Sequence, residues 1–197
     1  MLLIIKGSIK RILPIKNFMH NIDKNNRVDC FLLENKTSKD IKMSKVELNK
    51  IIPDLACQMT GEQKIKMRDL KGKKIVLYFY PKDNTPGCTT ESIEFQNLLK
   101  EFAKLNTEII GISRDSLSLH EKFRSKYDFS FDLISDEDEV ICDAFDVIKE
   151  KNMYGKKYMG IERSTFLIDE NNKLIAEWRK VKAKGHAQSI LDYIADL

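Results

Sequence analysis

The chain has 197 residues, of which 42% are hydrophobic and 32% charged, so it can bury the core of one folded domain and is too apolar to stay disordered. Its longest uninterrupted apolar run, residues 75–80, is far shorter than the roughly 20 residues that a membrane-spanning helix needs. The formal net charge is +4, and the excess lies in residues 1–49, which hold ten basic and five acidic side chains.

The N-terminal segment is predicted to be separate from the folded domain. Residues 1–42 are basic, rich in lysine and asparagine and only weakly periodic, which is typical of a solvated or processed extension. Three interpretations stay open: a disordered tail, a short targeting segment in residues 1–22, or a translation start at Met43. The folded domain is therefore predicted to span residues 43–197.

Strands and helices are predicted to alternate from about residue 50. Residues 64–70 alternate polar and apolar side chains like a short strand, and residues 75–80 are typical of a buried central strand. A loop containing proline and glycine ends that strand. Apolar residues at helical spacing then predict an amphipathic helix over residues 88–105.

The same alternation continues to the end of the chain. Strands that alternate with helices and end in an antiparallel hairpin predict a three-layer α/β/α sandwich around a central mixed sheet. The remaining predicted elements are a strand at 109–112, a helix at 116–127 with Leu119 and Phe123 turned inward, a strand at 131–134, a short helix at 137–145, hairpin strands at 165–168 and 174–178, and a closing helix at 186–197.

One cysteine stands at the turn between the central strand and the helix. Cys88 falls in the first helical turn, close to unpaired backbone N–H groups and the positive end of the helix dipole, and both favour a thiolate over a thiol. A free cysteine is more often a small buried hydrophobe. Here, however, two prolines and a glycine fix the loop and a threonine hydroxyl stands three residues earlier, so Cys88 is predicted to be a reactive nucleophile.

The residues around this cysteine resemble the active-site motif of a known family. Residues 80–91, YPKDNTPGCTTE, are similar to the P-x-x-x-T-x-x-C motif of peroxiredoxins, in the version of the bacterioferritin-comigratory-protein or Q-type subfamily. Residues 53–55 resemble its opening P-D-F, residues 69–74 its D-L-K-G-K-K, and residues 153–166 its late active-site strand. The resemblance runs from about residue 43 to the end and implies a thioredoxin-like fold.

The resemblance also implies a thiol peroxidase. Cys88 would be the peroxidatic cysteine, which attacks one peroxide oxygen and becomes a sulfenic acid while water or an alcohol leaves. Thr85 would hold the peroxide by its hydroxyl, Arg163 would supply a fixed positive charge, and the N–H groups of Gly87 and Cys88 would donate to the reacting oxygens. Pro81 would shield the sulfur from water.

The chain departs from the subfamily pattern at the resolving cysteine. The usual position, five residues after Cys88, holds Ile93, and no cysteine occurs in the helix predicted over 116–127. The expected mechanism therefore uses one cysteine, and an external thiol such as thioredoxin, glutaredoxin or glutathione reduces the sulfenic acid. The remaining candidates for a resolving residue, each expected to be a packed or idle thiol, are Cys142, Cys57 and Cys30.

The main interpretation is thus a cytoplasmic peroxiredoxin that reduces hydrogen peroxide and organic hydroperoxides without a metal or other cofactor, as a monomer or weak dimer. Neither a membrane nor nucleic acid is expected as its partner. Two alternatives are a binding protein switched by oxidation of Cys88 and a nucleic-acid binder that uses the basic residues 1–49. The histidines lack the spacing of metal ligands, so surface or packing roles are expected for His20, His120 and His186.

Overall fold

The structure, a computed structural model, describes residues 45–153 and 155–197. The predicted targeting segment, the domain boundary at residue 43, Cys30 and His20 lie outside the described residues. In chain order the elements are β1 (Ala56–Met59), β2 (Gln63–Lys66), a 3₁₀-helix (Met67–Leu70), β3 (Lys74–Phe79), α1 (Pro86–Lys104), β4 (Thr107–Ser113), α2 (Leu117–Tyr127), β5 (Asp132–Ser135), α3 (Val140–Ala144), β6 (Ile148–Met153), β7 (Lys156–Ile161), β8 (Ser164–Ile168), β9 (Leu174–Trp178) and α4 (His186–Ala195).

Seven of the strands form one mixed sheet in the order β2-β1-β5-β4-β3-β8-β9. Strands β3, β4 and β5 are parallel neighbours, joined through α1 and α2, while the flanking strands pair antiparallel. Strands β6 and β7 form a separate antiparallel hairpin. The predicted mixed sheet is confirmed.

Alternate residues of β3 point to opposite faces of the sheet and enter two separate cores. Ile75 and Leu77 pack with α3 and the 3₁₀-helix, whereas Val76 and Tyr78 pack with α1, α2 and α4. We call these two sides of the sheet the α3 face and the α1 face. The sheet is thus the middle of three layers, as predicted.

The strand directions bring two distant parts of the chain to one edge of the sheet. The parallel strand β3 ends at Phe79 and leads into α1 through residues 80–85. Strand β8 runs antiparallel to β3, and its first residue, Ser164, pairs with Phe79. The end of β3 and the start of β8 therefore lie side by side, which places Arg163 next to the N-terminus of α1.

The prediction that Leu119 faces inward is wrong. Phe123 is fully buried as expected, but Leu119 is 43% exposed and His120 is fully buried in its place. The buried residues of α2 are His120 and Phe123, which lie three residues apart on one face of the helix. A histidine takes the inward position because both of its ring nitrogens find buried hydrogen-bond partners there.

The strand predicted over residues 64–70 is only half correct. Strand β2 ends at Lys66, and the next four residues form the 3₁₀-helix. The Lys66 N–H donates to the Asp69 carboxylate, 2.8 Å away, which turns the chain at that point. Apolar alternation alone does not show this turn, because the buried Met67 fits either structure.

Among the helices of the described ranges, none combines the length and hydropathy that crossing a bilayer requires.

Candidate active site

Cys88 lies in the first turn of α1, at the edge of the sheet where β3 ends. The helix begins at Pro86, and its first N–H donor is that of Thr89, which bonds the Thr85 carbonyl at 2.9 Å. The N–H groups of Gly87 and Cys88 precede that bond, so no helical carbonyl is available to them. Cys88 is only 1% exposed and belongs to the core of the α1 face. Its sulfur is therefore held close to free N–H donors in a largely buried position.

Arg163 contacts the Cys88 sulfur directly. Its Nη2 lies 3.2 Å from Sγ, and its Nη1 donates to the Glu91 carboxylate. The Arg163 side chain is 14% exposed and the Glu91 side chain is fully buried, so this is a buried ion pair. Glu91, rather than the neighbouring Glu162, is thus the acidic partner of Arg163. One guanidinium bridges Cys88 in the first turn of α1 and Glu91 in the second.

Gly87 lies beside the arginine. A Cβ atom at that position would stand 3.4 Å from Arg163 Nη2, at the lower limit of an ordinary van der Waals contact. The Arg163 carbonyl also accepts the Val181 N–H at 3.1 Å, which fixes the backbone of the arginine. The arginine is thereby positioned from both its backbone and its side chain.

The charges in this cluster shift one another's protonation. Burial raises the pKa of Glu91 from 4.5 to about 7, although Arg163 works against that shift. Burial lowers the pKa of Arg163, but the attraction of its charge to Glu91 and Cys88 is stronger. The net result is a raised pKa of Arg163. Arg163 therefore stays cationic beside the sulfur.

No sequence pattern singled out Glu91 as a site residue. Its place three residues after Cys88 nevertheless puts it on the same face of α1.

A histidine behind the arginine is kept neutral. His186 Nε2 lies 2.8 Å from the Thr165 hydroxyl, and the side chain is buried on the α1 face. Burial, together with the nearby Arg163 charge, lowers the pKa of His186 to about 4. The packing role expected for His186 agrees with this position.

Thr85 and Pro81 lie in the loop that leads to Cys88, which we call the active-site loop and define as residues 81–85. The Thr85 hydroxyl donates to the Lys82 carbonyl at 2.9 Å, and it must leave that partner to donate to a bound peroxide. Pro81 is half-buried at the start of the loop. Thr85 and Pro81 thus lie at the same edge of the sheet as Cys88.

A buried polar network anchors the same loop. Asp83 accepts the Tyr80 hydroxyl at 2.7 Å on one carboxylate oxygen and faces His120 Nδ1 at 2.9 Å on the other. The Asp83 N–H donates to the Asp115 carboxylate, 2.8 Å away. His120, expected only to be a surface or packing residue, therefore connects α2 to the active-site loop.

The two candidate resolving cysteines lie on the opposite side of the sheet from Cys88. Cys57 and Cys142 belong to the core of the α3 face and are nearly or fully buried. Burial, with a further contribution from the Asp136 carboxylate, raises the pKa of Cys57 to about 12 and also raises that of Cys142. The Cys142 N–H donates to Asp136 at 2.7 Å. Both side chains are thus protonated thiols, separated from Cys88 by the sheet.

No group of three or more His, Cys, Asp or Glu side chains within residues 45–153 and 155–197 is arranged to hold a metal ion.

Comparison with known sequences places this chain in a family. The model of the AhpC/TSA family matches residues 48–177. The peroxiredoxin Bcp of Xanthomonas campestris is 52% identical over 138 residues, which is 70% of this chain and 86% of that protein. The peroxiredoxin Bcp of Bacillus subtilis is 49% identical over 152 residues, covering 77% of this chain and 97% of the relative.

Solved structures give the same result for the fold. A cysteine-to-serine mutant of Xylella fastidiosa PrxQ superposes with a TM-score of 0.73 at 41% identity, over 78% of this chain and 98% of that one. The Xanthomonas campestris bacterioferritin comigratory protein, described for its alkyl peroxide reduction activity, gives a TM-score of 0.71 at 47% identity with the same coverage.

Proposed function

The chain belongs to the AhpC/TSA family and is a peroxiredoxin, a thiol peroxidase of thioredoxin-like fold, and on this premise we propose that Cys88 is its peroxidatic nucleophile. The contact that carries the proposal is the 3.2 Å distance between Arg163 Nη2 and the Cys88 sulfur. A fixed cation contacts this sulfur, and the residue lies in the first turn of a helix, where backbone N–H groups lack helical partners; both features favour a thiolate.

In the first half of the reaction the Cys88 thiolate attacks the nearer oxygen of a hydroperoxide. The S–O bond forms as the O–O bond breaks, and the leaving oxygen takes a proton and departs as water or an alcohol. Negative charge moves from sulfur to that leaving oxygen. Arg163, whose Nη2 already lies 3.2 Å from the sulfur, and the N–H groups of Gly87 and Cys88 at the start of α1 stabilise this charge as preorganised donors.

Two further residues support this step. The Thr85 hydroxyl, once released from the Lys82 carbonyl, donates to the peroxide and orients it over the sulfur. Pro81 excludes water at the start of the active-site loop. Glu91 acts through Arg163 and is a positioning residue, because its carboxylate fixes one arm of the guanidinium.

The second half of the reaction uses an external thiol. That thiol attacks the sulfenic sulfur, an S–S bond forms as the S–O bond breaks, and water leaves; a second thiol then releases Cys88. The position of Cys57 and Cys142 on the α3 face supports this one-cysteine scheme. Thioredoxin, glutaredoxin and glutathione are the proposed sources of the thiol.

A monomer or weak dimer in a reducing compartment such as the cytoplasm fits this scheme. The exposed large apolar side chains of the described ranges are scattered over several elements, as on most monomers. Cys57, Cys88 and Cys142 are free thiols, and a peroxidase of this type needs a supply of reduced thiol.

Steady peroxide consumption with dithiothreitol as reductant tests the proposal. Replacement of Cys88 by serine is expected to abolish turnover. Replacement of Cys142 by alanine, which removes the thiol of another buried cysteine, is expected to leave turnover intact. Turnover by the C88S variant would refute the assignment, and single oxidation of Cys88 without turnover would instead favour a redox-switched binding protein.

A further inference from the structure

The Asp83–His120 pair is the most deeply buried contact between an acidic and a basic side chain outside the Arg163 cluster among the described residues. His120 is fully buried and Asp83 is 6% exposed. Both ring nitrogens of His120 are occupied: Nδ1 faces Asp83 at 2.9 Å, and Nε2 faces the Ile134 carbonyl at 3.1 Å. The pair joins the active-site loop to α2 and to the end of strand β5.

Hydrogen-bond chemistry fixes where the protons of this pair lie. A backbone carbonyl only accepts, so Nε2 carries a hydrogen. One proton must also lie between Nδ1 and the Asp83 carboxylate, because two lone pairs facing each other at that distance would repel. The other Asp83 oxygen accepts the Tyr80 hydroxyl, and burial raises the pKa of Tyr80 so that it stays a donor. Both oxygens of Asp83 are thus engaged.

A second carboxylate holds the backbone of Asp83. Asp115 accepts the Asp83 N–H and the Ser113 hydroxyl, each at 2.8 Å. The backbone and side chain of Asp83 are therefore held by three different parts of the sheet and of α2.

The location of this network matters for Cys88. Asp83 stands two residues before Thr85, the residue that precedes α1, so it fixes the path by which the loop enters the helix. Cys88 itself is only 1% exposed. A disulfide of about 2 Å with a bulky external thiol requires the groups around so buried a sulfur to move, whereas a small peroxide needs less room.

We propose that Asp83 and His120 are positioning residues that fix the active-site loop, so that Thr85 and Cys88 meet peroxide in the reactive geometry while access of bulkier thiols is restricted. This inference rests on the proposed function of Cys88. Loss of the pair should slow the reaction of Cys88 with peroxide without slowing the reaction of the sulfenic acid with an external thiol. Loss of a residue needed only for folding would slow both reactions.

Two rate constants measured in single turnovers test the proposal. The first is the rate constant for the reaction of reduced Cys88 with hydrogen peroxide, which is measured by acid quench and peptide mass. The second is that of the sulfenic acid with the coloured thiol 2-nitro-5-thiobenzoate. In the D83A variant the peroxide rate constant is expected to fall by about 10- to 100-fold, the cost of a misplaced reacting group. The rate constant for the coloured thiol is expected to stay the same or rise.

A conservative variant should rescue the loss. In D83N the amide N–H can donate to a neutral His120 Nδ1 and the amide oxygen can still accept the Tyr80 hydroxyl, so most of the peroxide reactivity should return. The control is D136A, which removes another buried aspartate that accepts two backbone N–H groups, but on the α3 face. Neither rate constant should change in D136A. If D83A does not fold, H120Q replaces it, because glutamine cannot reach both Asp83 and the Ile134 carbonyl.

Three results would overturn the proposal: an unchanged peroxide rate constant in D83A, an equal fall of both rate constants, or a D83N variant as slow as D83A. Failure of the proposed function looks different. It would appear in the wild-type protein, as a Cys88 that peroxide leaves unmodified, whatever the Asp83 variants do.

Discussion

The Arg163 guanidinium lies between the Cys88 sulfur and the Glu91 carboxylate, with Nη2 3.2 Å from Sγ and Nη1 bonded to Glu91. Cys88 and Glu91 are three residues apart on one face of α1, whereas Arg163 comes from the start of β8. The site therefore depends on the antiparallel pairing of β3 and β8, which brings these segments together.

Replacement of Arg163 by lysine should slow oxidation of Cys88. An ammonium group is a single point charge and cannot serve both Glu91 and the sulfur with the planar geometry of a guanidinium. The loss of one preorganised donor predicts a fall of about 10²- to 10³-fold in the rate constant with hydrogen peroxide. Single-turnover kinetics measure it.

The matched control is Arg124→Lys. It changes a part-buried arginine of α2 whose Nε donates to the Phe129 carbonyl. Its peroxide rate constant should equal that of the wild type. Equal rate constants for R163K and the wild type would show that the guanidinium does not contribute to catalysis.

The buried Glu91 should make the protein less stable as pH rises. Its pKa is about 7 in the folded protein and 4.5 otherwise, so between these values the folded state binds a proton that the unfolded chain has released. The free energy of unfolding therefore falls over this range, by on the order of 3 kcal/mol. The H186Q variant should show this slope in urea unfolding from pH 4.5 to 7.

His186 should produce the opposite slope. Its pKa is about 4 when folded and 6.5 otherwise, so between these values the unfolded chain binds the extra proton. Stability is therefore lost as pH falls from 6.5 to 4, again by on the order of 3 kcal/mol. The E91Q variant should show this slope, and the two effects should largely cancel in the wild type from pH 4.5 to 6.5. Parallel stability curves for E91Q and H186Q would contradict both assignments.

Iodoacetamide should react with Cys88 before Cys57 and Cys142, although all three side chains are buried. In the folded, reduced protein at pH 8, Cys57 and Cys142 should stay unlabelled, because their raised pKa values keep them as thiols. Both should be labelled in urea, which serves as the control. Labelling of Cys142 in the folded protein at the rate of Cys88 would show that the α3 face opens readily.

Replacement of Ile93 by cysteine should convert the mechanism. In an ideal helix residues five apart have Cα atoms about 8.6 Å from each other, beyond the roughly 4.4–6.8 Å of a disulfide, so the start of α1 must unwind. One equivalent of peroxide should nevertheless join Cys88 to the introduced thiol of the I93C variant in a disulfide, since Ile93 is already 38% exposed. Peptide mass detects the bond. A sulfenic acid at Cys88 that persists in I93C would show that the first turns of α1 do not open.

Local patterns were sufficient to predict the framework of the site. The apolar run of β3, the loop after it and the helical spacing of α1 predict a strand, a turn and a helix with Cys88 in its first turn. The resemblance then singled out Thr85 and Arg163, and the structure brings Arg163 to the sulfur.

Contacts between distant residues could not be predicted in this way. Glu91 and Arg163 are 72 residues apart and meet only through the pairing of β3 with β8. Helical periodicity favoured Leu119 as the inward residue, because it takes no account of the buried Asp83 that holds His120 inside. The β6–β7 hairpin is rich in charged residues and lacks the apolar alternation that would have indicated strands.

Peptide mapping of the oxidised cysteines shows whether Cys88 is the nucleophile and whether it reacts without a resolving cysteine. The fully reduced protein receives one equivalent of hydrogen peroxide, with and without a reagent that traps sulfenic acids, and the state of every cysteine is read from peptide mass. We expect trapped sulfenic acid at Cys88 and no internal disulfide. A disulfide from Cys88 to Cys57 or Cys142 would contradict the one-cysteine scheme, and an unmodified Cys88 would contradict its assignment as the nucleophile.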